Sequence, residues 1–393
     1  MADVMNYIDR LVAELCPDGV EYRPLGEIAD IGTGKSDKKD AQESGQYPFY
    51  VRSKTILRSS KYLYDETAIV IPGEGGVGEI FHFVSGKYDL HQRAYRISFT
   101  VDEMNPKFGY YYISSFFKEY INRHAVEATV KSIRKPMLVK FEVPVPPLEI
   151  QEAIVEILDK FTNLEAELEA ELEARTLQYE YYRDSLFEAL DCPRVPLGSF
   201  AQLVRGSGMP KTDFSESGVG AIHYGQIYTK FGTATAEVIT HVPEEKAKKL
   251  AVVNPGDVIV ANTSENLEDV CKAVAWVGES DIVTGGHATV IKAPEQNAKF
   301  ISYYMATGQF NKDKRRHAFG TKVIDVAPKN LAKIEFPLPP LEEQQRIVDI
   351  LDRFDALTSS LSEGLPAELA ARRSQYEYYR DQLLTFPRKG DNQ

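Results

Sequence analysis

Pro144-Val145-Pro146-Pro147-Leu148-Glu149-Ile150-Gln151 and, far along the chain, Pro337-Leu338-Pro339-Pro340-Leu341-Glu342-Glu343-Gln344 are two spellings of one segment. The first leads into Ile154-Val155-Glu156-Ile157-Leu158-Asp159-Lys160-Phe161, the second into Ile347-Val348-Asp349-Ile350-Leu351-Asp352-Arg353-Phe354. Gln178-Tyr179-Glu180-Tyr181-Tyr182-Arg183-Asp184 then returns letter for letter as Gln375-Tyr376-Glu377-Tyr378-Tyr379-Arg380-Asp381. Between these stretches the sequence diverges freely. A duplicated frame around unlike segments presents two different binding faces from one near-symmetric support.

Working outward, the repeat divides the chain into an N-terminal helix (1–21), a globular segment (22–148), a central helical spacer (149–193), a second globular segment (194–340) and a C-terminal helical spacer (341–393). The expected fold class is α+β: two α/β segments separated by a long antiparallel coiled coil, with internal pseudo-twofold symmetry. Ala68-Ile69-Val70-Ile71 and Asp257-Val258-Ile259-Val260 read as buried strands. Lys107-Phe108-Gly109 and Lys299-Phe300-Ile301 open matching helices. Ile150, Ile154, Ile157, Leu158, Phe161, Leu164, Leu168 and Leu172 keep three- and four-residue steps and predict one continuous apolar stripe. The homologous second helix is the partner that would cover it. Pro366 after Gly364 should interrupt that second helix.

The tandem Leu164-Glu165-Ala166-Glu167, Leu168-Glu169-Ala170-Glu171 and Leu172-Glu173-Ala174-Arg175 forms helix with a solvated acidic face. Each copy adds about 6 Å of helix, so copy number is expected to set the distance between the two segments.

A content of 43% hydrophobic and 26% charged residues is that of a folded chain rather than a disordered one. No apolar run suits a membrane span and the first residues do not resemble a signal peptide, so the expected location is cytoplasmic. Cys16, Cys192 and Cys271 form no CxxC pair and read as packing residues. Of the net charge of -12, residues 148–191 carry -10 and residues 341–384 carry -4, which leaves +2 for everything else. The acid belongs to the helices, and local potential rather than total charge steers a polyanion.

On these doubled marks, Pro-Pro-Leu-Glu-x-Gln with Ile-Val-x-Ile-Leu-Asp-x-Phe and Gln-Tyr-Glu-Tyr-Tyr-Arg-Asp, the chain resembles the DNA-specificity (S) subunit of type I restriction–modification systems. The resemblance covers nearly the whole chain. It implies two target-recognition domains that bind a bipartite double-stranded DNA target, one half-site each, and a helical frame on which two methyltransferase (M) subunits dock. Restriction/translocase (R) subunits, two in number, can join them. It also implies a non-catalytic chain without a cofactor of its own, with S-adenosylmethionine, ATP and Mg2+ on the partner subunits. A reading from another class, a coiled-coil scaffold joining two different protein ligands, stays open.

Motifs that imitate chemistry fail on context. Gly32-Thr33-Gly34-Lys35-Ser36 lacks the first glycine of a P-loop, since Ala29 stands there. Gly73-Glu74-Gly75-Gly76-Val77-Gly78 fits GxGxxG but precedes strand-like sequence, so it reads as a glycine-rich turn. No catalytic constellation and no metal-ligand spacing is present in the sequence.

Candidate DNA contacts are basic and amide side chains in loops: Lys35, Lys38, Arg52, Lys54, Arg93, Lys131 and Arg134 in the first segment, and Arg205, Lys211, Gln226, Lys230, Asn262, Lys312, Arg315 and Lys322 in the second. Arg and Gln read guanine and adenine edges bidentately, whereas Lys mainly positions the backbone. Tyr181 and Tyr378, with Arg183 and Arg380, form the expected anchor for a partner subunit.

Overall fold

The computed structural model describes residues 2–124, 132–358 and 364–390. Its longer helices are α1 (Ala2–Leu15), α2 (Pro106–His124), α3 (Leu148–Glu188), α4 (Ala298–Met305), α5 (Gly308–Arg315), α6 (Leu341–Thr358) and α7 (Gly364–Leu383). Two units result: Met1–Ala166 with Ala371–Gln393, and Glu167–Ala370.

The first unit is built on a sheet whose strands run in the order Ala29–Thr33, Ala94–Phe99, Tyr64–Pro72, His82–Leu90, Tyr47–Tyr50, Leu57–Ser59. Every pairing is antiparallel except that of Tyr47–Tyr50 with His82–Leu90. Ile69, Ile71 and Ile97 on one face meet Phe108, Ile113 and Phe117 of α2 in a single buried cluster. The first half of α3 enters the same cluster through Ile150, Ile154 and Leu158, all fully buried. Each such side chain contributes about 1.5–3 kcal/mol. The end of α7 packs against this half of α3 in antiparallel sense: Phe161 lies on Tyr379, and Glu165 pairs with Arg373 at 2.6 Å. The two chain ends are tied together, with Val20 N–H donating to Pro387 O (2.8 Å) and Lys389 N–H donating to Val20 O (3.0 Å).

The second unit has a five-stranded sheet (Gln202–Arg205, Ala288–Lys292, Val258–Ala261, Ala273–Trp276, Ala234–Thr235) and a four-stranded one (Thr240–Val242, Val219–Ile222, Ile282–Thr284, Ala251–Val253). Helix α4 lies against the first sheet, sharing a cluster with Val258, Val260 and Ala275. The second half of α3 packs by Phe187 onto Phe300 and Tyr304, and Tyr182 stacks on Phe354 of α6 at 5.6 Å.

The strands around Ala68–Ile71 and Val258–Val260 form as expected and are buried. The helix interruption also appears: α6 ends at Thr358 and α7 begins at Gly364, whose φ is +78°. The apolar stripe of α3, however, is buried only in part: Ile150, Ile154, Leu158 and Phe161 are buried, Ile157, Leu168 and Leu172 are half-buried, and Leu164 is 37% exposed. Leucines every four residues advance about 40° around a helix of 3.6 residues per turn, so they drift off a straight seam.

Candidate nucleic-acid interface

The duplicated letters make duplicated hydrogen bonds. Gln151 Nε2 donates to Pro146 O and Glu103 O, and its Oε1 accepts from Asn105 N–H at 2.8 Å. Gln344 Nε2 donates to Pro339 O and Gln296 Oε1, and its Oε1 accepts from Asn297 N–H at 3.0 Å. Asn105 and Asn297 in turn cap α2 and α4 by accepting from Lys107 and Lys299 N–H. Asp159 holds Lys107 Nζ (2.8 Å) and Tyr111 OH (2.5 Å); Asp352 holds Lys299 Nζ (2.7 Å) and Tyr303 OH (2.7 Å). Each spacer helix therefore grips the first turn of the helix that closes its own globular segment.

In each unit, loops from distant parts of the chain meet at one corner. In the first, Gly34 lets the backbone pass where a Cβ would stand 1.8 Å from Leu90 O. Ser36 then donates to the buried Asp89 carboxylate (2.9 and 2.8 Å), which also accepts from Ser59 Oγ at 3.0 Å. Ser36 is thus occupied, in keeping with the rejected P-loop. Lys35 and Lys38 stand exposed on this loop, and among the described residues no carboxylate lies within 4.0 Å of either. Next to it, Glu74 accepts from Arg52 Nη1 (3.1 Å) and Arg93 Nη1 (2.9 Å). The loop of Glu74 is tied to the chain before Arg134 by a bridge to Ser132 and by Ile133 N–H donating to Gly73 O (2.8 Å). Lys54 and Arg134 are exposed; Lys131 lies outside the described residues. The GxGxxG segment is a turn, with Gly75, Gly76 and Gly78 at positive φ, and the strand after it starts at His82.

The second unit repeats the layout with other letters. Gly206 passes Gly285 O as Gly34 passes Leu90 O, and Ser207 pairs with Gly285 as Ser36 pairs with His91. Arg205 lies 3.8 Å from Asp325, whose strand pairs with Thr263–Ser264. His223 and His287 flank Tyr224, whose ring centroid is 4.5 Å from that of His223 and 5.1 Å from that of His287, and Lys211 lies near His223.

His91 and His223 serve the two corners alike. Each accepts a backbone N–H at Nδ1, from Arg93 (3.0 Å) and Gly225 (3.1 Å). Burial, then Arg52 nearby, leaves the His91 pKa below the usual histidine value against the opposing pull of Asp37; burial, then Lys211 and His287, does the same for His223. Both stay neutral near pH 7, the state an accepting nitrogen requires.

Other expected contacts fall elsewhere. Asn262 is fully buried: its Nδ2 donates to Val326 O (2.7 Å) and its Oδ1 accepts from Thr289 Oγ1 (2.6 Å). It is a staple beneath the corner rather than a reader of bases. Gln226 spends its amide on a helix cap, accepting from His223 N–H (2.9 Å) and donating to Thr240 Oγ1 (2.5 Å). Lys230 lines a separate groove of about 950 Å³ with Lys272 and Lys314. Arg315 pairs with Glu268 on the rim of that groove, and Lys312 is exposed on α5. Lys322 is exposed at the tip of a hairpin that closes at Phe319 and Asp325.

The repeated tyrosine motif is split by the fold. Tyr181 is 70% and Tyr378 61% exposed. Arg183 and Arg380 instead lie over Tyr179 and Tyr376, each at 5.6 Å, and pair with Asp184 and Asp381. Four-residue spacing puts each arginine on the face of the more inward tyrosine, buried Tyr179 or half-buried Tyr376, not of the outward one. Glu74 and Asp325, the carboxylates that organise the corners, carried no mark in the sequence beyond Glu74's place in a glycine-rich turn.

Residues 17–174 and 193–371 match the family model for the type I restriction modification DNA specificity domain. The chain is 29% identical over 415 residues to the specificity subunit of the Escherichia coli type I restriction enzyme EcoR124I/EcoR124II, with 98% of each chain covered. It is 27% identical over 383 residues to a putative type I restriction enzyme specificity subunit of Haemophilus influenzae, covering 93% of this chain and 96% of the other. The fold is shared with the S subunit of a type I restriction–modification system from M. genitalium (TM-score 0.57, 16% identity, 93% and 96% covered). It is shared too with a chain from a structural study of type I R-M complex assembly (TM-score 0.59, 16% identity, 95% and 98% covered).

Proposed function

The chain belongs to the type I restriction–modification DNA specificity family, a specificity subunit with two target-recognition domains, and on that premise we propose that it reads a bipartite DNA target, one half-site per unit. The observation that carries this is a frame whose glutamine and aspartate grips recur beneath two corners whose exposed basic side chains differ. Arginines such as Arg52, Arg93 and Arg205 suit guanine edges, a carboxylate such as Glu74 can accept from cytosine, and Lys35, Lys38, Lys54, Lys211 and Lys322 suit phosphates. Exposed ion pairs like Arg93–Glu74 are worth little, so DNA can displace them at small cost.

Two methyltransferase subunits dock on the doubled frame, anchored at Tyr181 and Tyr378, because a surface presented twice accepts one partner twice. Translocating nuclease subunits can join that complex. S-adenosylmethionine, ATP and Mg2+ act on those partners. No described helix is long and apolar enough to cross a membrane, and the assembly works in the cytoplasm. The chain with its methyltransferase partner, offered a random DNA library, should select a split motif with an unspecified gap. Selection of one uninterrupted site would contradict the reading.

A further inference from the structure

Of the chain's 19 phenylalanines, all within the described residues, only Phe319 is exposed, at 66%. It is not on a frayed end. Phe319 N–H donates to Asp325 O (3.0 Å) and Asp325 N–H donates to Phe319 O (2.8 Å), closing a short hairpin. Gly320 makes the turn at φ +121°, where a Cβ would stand 1.9 Å from Val323 O. The hairpin's base is fixed as well: Thr263 pairs with Asp325, Val326 N–H donates to Asn262 O (3.0 Å), and the Asn262 side chain holds Val326 O. A rigid finger thus carries an exposed ring, with Val323 (59% exposed) and Lys322 at its tip.

The surroundings say what the ring meets. Arg315 and Arg316, which precede it in the chain, are paired with Glu268 and Asp313; Arg205 stands at the hairpin's root, 3.8 Å from Asp325, whose Oδ1 is buried. An exposed, held ring with the exposed Lys322 on the same hairpin matches a nucleobase stack beside a phosphate, for which aromatic stacking and wedging between base steps are established modes. A held ring also loses little conformational freedom on binding. We propose that the 319–325 hairpin is a finger that sets Phe319 against a base step of the half-site read by the second unit, while Lys322 takes a flanking phosphate. This rests on the DNA-reading function proposed above and names the residue that would couple base-step deformability to recognition.

The test uses the full complex with its methyltransferase subunits and its selected duplex, with 2-aminopurine placed in turn at positions other than the methylated adenine. The intact complex should brighten the probe at one step of the second unit's half-site. Phe319→Ala should abolish that brightening and weaken cognate binding by about 10- to 100-fold, leaving binding to unrelated duplex unchanged; Phe319→Trp should retain both. Lys322→Ala should weaken cognate and unrelated duplex alike and reduce the salt slope by about one. A cognate preference and brightening that survive Phe319→Ala overturn the finger alone. An intact complex without preference for any split site overturns the functional reading and the finger with it.

Discussion

Replacing Asn262 with alanine separates two roles that the sequence could not tell apart. A side chain that reads bases can be removed with little effect on folding; a buried staple cannot. Asn262 →Ala leaves Val326 O without its donor and Thr289 Oγ1 without its acceptor, both below the second unit's corner. Each orphaned buried group costs about 1–3 kcal/mol. Taking the pair at about 3 kcal/mol after some relaxation, a unit of this size should lose about 10 °C in melting temperature. Differential scanning calorimetry would measure the shift, and amide exchange should quicken at Thr289 and Val326. DNA affinity should fall only as the corner loosens, and should recover in part at lower temperature. An unchanged melting temperature with abolished sequence preference would refute this reasoning and return Asn262 to the base-contacting set.

Four further outcomes follow from the same geometry. Asp159→Asn or Asp352→Asn should each lower the melting temperature of its own unit, since each weakens a charge-assisted grip on Lys107 and Tyr111 or on Lys299 and Tyr303; two-domain calorimetry assigning both losses to one transition would contradict this. Tyr376 has its pKa pushed up to about 12, chiefly by burial. A raised folded value stabilises fully below the unfolded value near 10 and is lost as pH rises from about 10 to 12, so denaturant titrations should show stability falling there, less steeply in Tyr376→Phe. Deleting Leu168-Glu169-Ala170-Glu171 should shorten the gap between methylated half-sites by about one to two base pairs, measured by methylome sequencing; an unchanged gap rejects helix length as the ruler. Tyr181→Ala with Tyr378→Ala should abolish co-purification of methyltransferase subunits, whereas Arg183→Ala, which loses packing on Tyr179, should lower thermal stability instead.

The frame was legible because its two copies face the same physical demand. Gln151 and Gln344 must satisfy the same carbonyl and the same N–H of the capping asparagine, and Asp159 and Asp352 the same lysine and tyrosine, so the letters recur. The corners were not legible, because their chemistry is assembled from loops far apart in sequence: Glu74 gathers Arg52 and Arg93 across 22 and 19 residues. Amides misled for a related reason. Asn262 and Gln226 look like surface polar residues in a string of letters, yet one staples buried strands and the other caps a helix. The inward turn of Arg183 and Arg380 could have been read from their spacing to Tyr179 and Tyr376. The half-exposed leucines of the acidic array likewise follow from a four-residue period on a helix of shorter pitch.

The central claim is that each unit reads its own half of a divided target, and it is tested most directly by damaging one unit and reading the methylation pattern. In cells carrying Arg205→Ala with Lys211→Ala, the motif should become degenerate in one half while the other half and the gap stay as they were. Equal blurring of both halves, or a motif without a gap, would contradict the account.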